Sequence, residues 1–214
     1  METTTQEKQF DGVYGKYTIT SLDKIEVKRY RFAVLFCAIS FCGCLGHWFL
    51  IGPSFAWVWL LMMCITLGFA LKWIHIYLRP LHKALQILWG IGCIGVSIML
   101  FTFGPKNILT SIYENPIWTI SIGPFFAALT GLGFKEFFCF RRFEAIGLTV
   151  LLPIALLGHL SQFINEVVVI GMLSISAILL LVLALRKFGM DAAADVGDKS
   201  VFEYLDNQSM KEIY

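Results

Sequence analysis

The stretch LKWIHIYLRPLHKALQ, residues 71–86, sets two histidines, two lysines and an arginine among aromatic and aliphatic side chains. These five basic groups are either a site or a place where a buried chain meets water. The flanks bear on the choice: residues 55–76 and 84–103 are each a long apolar run. Pro80 forbids one continuous helix through both, because it lacks an N–H and clashes with the preceding turn. One helix is therefore expected to end near Tyr77 and the next to start near His82. Lys72, Arg79 and Lys83 can then snorkel towards headgroups while Trp73 and Tyr77 lie in an aromatic belt. A hairpin turn at a membrane edge accounts for most of the segment; a site at its histidines stays open.

Working outward, the whole chain supports a lipid environment. It has 214 residues, 57% of them hydrophobic and only 15% charged, with a mean hydropathy of +0.73. A soluble domain carries roughly a quarter charged residues, so this one cannot cover a globular surface with polar groups. The formal net charge of +2 argues against a nucleic-acid partner. The first thirty or so residues are polar and lack the basic, apolar and small-residue succession of a secretory signal. Insertion by the first true span, without cleavage, is the expectation.

A spanning helix needs about 20 mostly apolar residues. Six stretches qualify, approximately 32–50, 55–76, 84–103, 117–134, 146–164 and 167–185. Backbone groups in lipid must be satisfied internally, and none of the six alternates as a barrel strand would. The expected fold is all-α, a polytopic bundle of six transmembrane helices. Residues 1–31 form a polar N-terminal segment, 32–185 the membrane domain, and 186–214 a tail. Sixteen of the seventeen lysines and arginines fall in the N-terminal segment, the second-to-third turn, the fourth-to-fifth turn and the tail, leaving only Lys106 opposite. The positive-inside rule then places both termini in the cytoplasm, or the stroma of a plastid.

Smaller signals refine this picture. Asp23-Lys24-Ile25-Glu26 has the form of a capping box, so the first helix is expected to start before the bilayer. Ser200-Val201-Phe202-Glu203 is another, opening a short tail helix over 201–208 whose apolar side suits docking. In the loop 104–116, Ile108, Leu109, Ile112 and Tyr113 recur at helical spacing. The cysteines fall in apolar or aromatic runs, which argues against a disulfide framework. Gly90, Gly92 and Gly95 lie inside a span and read as close-packing positions, not as a dinucleotide fingerprint.

Polar groups inside spans are costly, and so they point to candidate sites. Ser40, Gly43 and His47 share one stripe of the first span; Ala155, His159 and Gln162 share one of the fifth. Should those spans touch, His47 and His159 could ligate one haem, pigment or metal ion, although no cofactor is required by the pattern. Lys72 and Glu136 form a candidate intramembrane pair, which in a small solute or ion transporter would gate access while Pro124 and Pro153 break their helices. No nucleophile–base, paired-aspartate or metalloprotease signature appears, so no enzyme is expected.

Several stretches together resemble a known family: Tyr17-Thr18-Ile19-Thr20, the IHIY and PLH of residues 74–82, Ala127-Ala128-Leu129-Thr130-Gly131, Phe134-Lys135-Glu136, Phe138-Cys139-Phe140, Leu157-Gly158-His159 and Gly197 to Leu205. They resemble uncharacterised integral membrane proteins found mainly in cyanobacteria and plastids. That resemblance implies a phototroph membrane, the thylakoid or the plasma membrane, with partners among the photosynthetic complexes, and carries over no catalytic residue. His75, Arg79, His82, Lys135, Glu136 and Arg141 are then expected on one cytoplasmic or stromal face. A non-catalytic accessory or assembly protein is the leading expectation, with transport or histidine-ligated pigment binding as alternatives.

Overall fold

A run of leucine, isoleucine, phenylalanine and alanine with no water to satisfy its backbone becomes helix, and the computed structural model, which describes residues 9–211, is built that way. A hairpin of β1 (Gln9–Asp11) and β2 (Lys16–Thr18) precedes α1 (Ser21–Leu50). Then follow α2 (Trp57–Trp73), α3 (Arg79–Phe103), the short α4 (Ile108–Glu114), α5 (Thr119–Phe140), α6 (Phe143–Ser161), α7 (Glu166–Lys187), α8 (Ala192–Val196) and α9 (Lys199–Lys211). Helices α1, α2, α3, α5, α6 and α7 are long and apolar enough to cross a membrane. An all-α bundle of six spans is what the apolar runs require.

The boundaries differ from the sequence reading in instructive ways. α1 does start ahead of the bilayer, but its capping box is Thr20 with Asp23: the Thr20 hydroxyl accepts from the Asp23 N–H and the Asp23 carboxylate accepts from the Thr20 N–H. At about 1.5 Å per residue its 30 residues run to roughly 45 Å, so its first turns project beyond a 30 Å hydrocarbon layer. α2 stops at Trp73 and α3 starts at Arg79, with Pro80 in its first turn, leaving residues 74–78 as an irregular connection. Pro124 and Pro153 break nothing: each sits within a continuous helix.

The core joins α1 to α2 and α7, α3 to α5, and α6 to α5 and α7. Glycines set the closest approaches. A Cβ at Gly92 would overlap Phe125, one at Gly95 the Ser121 carbonyl, and one at Gly43 the Trp59 ring. Gly90, within the expected close-packing set of α3, has open space instead, as does Gly46 on α1, so not every glycine in a span marks a contact. A satellite core of Ile19, Val27 and Val196, with Phe10 and Tyr17, ties hairpin, α1 and tail together. Hairpin, α2–α3 connection, α5–α6 turn and tail thus share one end; α4 and the α1–α2 and α6–α7 turns share the other. All six cysteines are free thiols.

Candidate functional site

The charge that the sequence assigns to a membrane edge is drawn inside. Tyr30 and Arg31 on α1, Lys135 and Glu136 on α5, Lys187 at the last turn of α7 and Asp195 on α8 form one buried network. Lys187 Nζ, fully buried, donates to Glu136 Oε2 at 2.6 Å and to Asp195 Oδ1 at 2.5 Å. Glu136 Oε1 accepts from the Tyr30 hydroxyl at 2.6 Å and from Lys135 Nζ at 3.2 Å. Arg31 grips the tail with Nε on Asp195 at 2.7 Å and its other nitrogens on the carbonyls of Met190 and Asp191. Both ammonium groups also lie over the rings of Tyr30 and Phe140, at 4.9 to 5.6 Å. Charges in so dry a place persist only when paired and hydrogen-bonded.

Three cations face two carboxylates here, and every one of the five is engaged. The arrangement is therefore suited to fastening α1, α5, α7 and the tail, and it presents no unshared base or nucleophile. A second pairing repeats the theme at the rim, where the buried Glu144 accepts from Arg142 and from Arg186 at 3.0 Å.

Above the network lies a cap. The Asp198 carboxylate accepts from the Val13 N–H at 2.7 Å and from the Ser200 hydroxyl and N–H. The Asp198 N–H donates to the Tyr77 hydroxyl. Tyr14 stacks on Tyr204 at 3.9 Å and Tyr77 meets Phe202 at 4.7 Å. The tail helix, whose apolar side suggests docking on the membrane or a partner, docks instead on the hairpin and the α2–α3 connection of its own chain, and it starts at Lys199 behind the Asp198 carboxylate, one residue ahead of the expected Ser200 cap. Asp23, Glu26 and His75 bring ligand atoms within 4.8 Å of one another, a spacing that a cation would accept. Lys199 Nζ already stands at 2.9 Å from Asp23 Oδ2, which also accepts from Thr20. Burial pushes the His75 imidazole below its ordinary value, against the pull of the Glu26 carboxylate 3.6 Å away.

The expected site residues are thereby redistributed. Lys72 is exposed and does not pair with Glu136, whose partners are Tyr30, Lys135 and Lys187. Lys72 turns its side chain outward from the last turn of α2, whereas Lys187 in the last turn of α7 turns inward and brings its ammonium to the buried carboxylate. Lys135 and Glu136 leave the proposed face for the interior, while His75 and His82 are half-buried and Arg79 and Arg141 exposed. Arg141 closes α5 in the left-handed conformation, φ 50°. His82 Nε2 donates to the Leu71 carbonyl across the turn at 2.7 Å. Tyr30, Arg31, Lys187 and Asp195 escaped the sequence reading. The available signal was Asp195 in the small-residue run DAAADVG, an acid whose neighbours invite close packing.

At the opposite end, the helical spacing of Ile108, Leu109, Ile112 and Tyr113 is realised as α4, which buries Ile108 and Ile112. Its Tyr113 donates to Glu166 at 2.7 Å, and the carbonyl of its Ile112 accepts from His159 Nε2 at 3.0 Å. His47 Nδ1 accepts from Trp59 at 3.4 Å, and its buried Nε2 has no partner. The main packing partners of α1 are α2 and α7, and those of α6 are α5 and α7, so the direct contact on which a ligand shared by His47 and His159 depends is not a main packing of the bundle. A cavity of about 160 Å³ lies in this half, walled by α1, α2 and α4 to α7. His159 lines it.

Comparison with known proteins agrees with this architecture. A family model described as "Uncharacterized integral membrane protein (DUF2301)" matches residues 69–204. A protein of Haemophilus influenzae described as "Uncharacterized protein" is 33% identical over 132 residues, 61% of this chain and 66% of its own length. The chain therefore spans just under two thirds of that relative. No solved structure matches.

Proposed function

The chain belongs to this family of integral membrane proteins, and on that premise we propose that it works without catalysis, as an accessory or assembly protein holding partners of its own bilayer. The observation that carries the reading is the buried network. Every ionisable group in it is spent on joining α1, α5, α7 and the tail, which makes a stiff platform and leaves no group to react. Around that platform, exposed Lys72, Arg79, Lys83 and Arg141 alternate with exposed Phe138 and Phe143. Aromatic and arginine side chains are what interface centres favour.

Photosynthetic complexes of a cyanobacterial or plastid membrane are the finer form of this proposal, and they rest on the sequence resemblance alone. The Haemophilus influenzae relative lends a thylakoid location no support, so the proposal is framed for partners in any bilayer that houses the family. Affinity purification from native membranes tests it. A stoichiometric partner is expected, lost when Arg79 and Arg141 are both changed to Glu and retained when Lys106, at the other end, is changed to Glu. A monodisperse protein with no partner would defeat this reading and promote transport.

A further inference from the structure

An open groove of about 500 Å³ runs between α1 and α2 at the end of the bundle that carries the tail. The buried Ala33 and Thr66 make its floor, and the exposed rings of Phe32, Phe36 and Phe69 make its walls. Neighbours fix those rings: Phe32 packs edge-on against Phe188 at 5.1 Å, and Phe69 stacks on Trp73 at 5.3 Å. From Arg29 to Phe36 on α1, and from Trp73 to Thr66 on α2, the groove descends two helical turns, about 10 Å. It thus crosses most of one leaflet of a hydrocarbon layer about 30 Å thick.

At its mouth stand Lys28 and Arg29, both exposed. Arg29 is held at that level, its guanidinium carbon 5.7 Å from the centre of the Trp73 ring. Other cations at this end, Arg31, Lys135, Arg186, Lys187 and Lys199, each meet a carboxylate. Among the described residues none comes within ion-pairing distance of Lys28 or Arg29. Glu26, the closest acid along the helix, faces His75 instead at 3.6 Å. Two unanswered cations above an apolar, lipid-facing groove suit a molecule with an anionic head and an apolar tail.

We propose that this groove binds one anionic phospholipid, its phosphate on Lys28 and Arg29 and one acyl chain lying along Phe32, Phe36 and Phe69. A zwitterionic lipid fills the apolar part equally well but brings its own ammonium towards the two cations, so charge selects. None of Lys72, Arg79, Lys83 and Arg141, the cations assigned to partner binding, lines the groove. This proposal and the partner-holding reading therefore stand or fall separately.

The test is tryptophan fluorescence of the full chain in phosphatidylcholine nanodiscs, titrated with brominated phosphatidylglycerol or brominated phosphatidylcholine. Bromine quenches an indole that it touches, so Trp73 reports the groove, and its share is the quenching that Trp73→Phe removes. Saturable quenching of Trp73 by phosphatidylglycerol is expected at a mole fraction about ten-fold below that for phosphatidylcholine, since each cation near the surface contributes about five-fold before screening. Lys28→Gln combined with Arg29→Gln should abolish that preference, and because both side chains are exposed the fold is kept. Lys72→Gln combined with Lys83→Gln, at the same membrane edge, should leave the preference intact. Soluble glycerophosphate should not compete, because the acyl chain supplies part of the binding. Equal quenching by the two lipids, meaning annular lipid only, overturns the proposal. A preference that survives the Lys28 and Arg29 changes, one lost equally with Lys72 and Lys83, or displacement by glycerophosphate does the same.

Discussion

Lys187 is the residue on which the interior turns, since one buried ammonium satisfies two carboxylates from different elements. Lys187→Met would leave Glu136 and Asp195 short of their main partner, and breaking a buried pair from one side costs about 3–5 kcal/mol. A large drop in thermal stability in detergent is expected. Adding Glu136→Leu should recover part of it, because an apolar replacement of both partners removes the stranded charge; a double-mutant cycle by thermal unfolding measures this. His75 gives a pH dependence with a definite sign. Burial, only partly offset by the carboxylates of Glu26 and Asp23 and reinforced by Lys135 and Lys199, lowers its folded value below the ordinary 6.5. The folded state thus binds fewer protons than the unfolded chain, so this stability is present above pH 6.5 and lost as pH falls through the folded value. Melting curves should show the loss in acid, and His75→Gln should flatten it.

Between elements, glycine spacing decides how near α3 and α5 come. Gly95→Ala would drive a methyl into the Ser121 carbonyl and should destabilise by about 1–3 kcal/mol through enforced backbone shifts. Gly90→Ala, with open space at the same helix, is the control and should be near neutral; unfolding in detergent compares them. The spans were legible because apolar runs of this length admit one solution in lipid. Close approach at Gly92 and Gly95 was legible too, since small residues in a span invite contact. Which residue faced which was not: Gly46 and Gly90 carry the same local signature and meet nothing. The Lys72–Glu136 pairing failed for that reason, since charge and depth along a helix are visible in one sequence while rotation about its axis is not.

For the molecule as a whole, the asymmetry of cations makes orientation testable. Reporter fusions at residue 9 and residue 211 are expected to report the same cytoplasmic compartment, and a fusion in the loop around Lys106 the opposite one. The cation count also hid something. Arg31, Lys135 and Lys187 count towards an aqueous edge, yet they are buried among acids and aromatic rings. A positive residue near the end of a span has the same sequence signature whether it snorkels into water or folds inward. Only the partner distinguishes them, and Asp195 lies 164 residues from Arg31.

That separation has a consequence for how the protein is made. At about 5–20 residues per second, Arg31 emerges roughly ten to thirty seconds before the aspartate that receives it. Until then the guanidinium is left to water, and the amino-terminal helix is fastened to the tail only once nine tenths of the chain has been made.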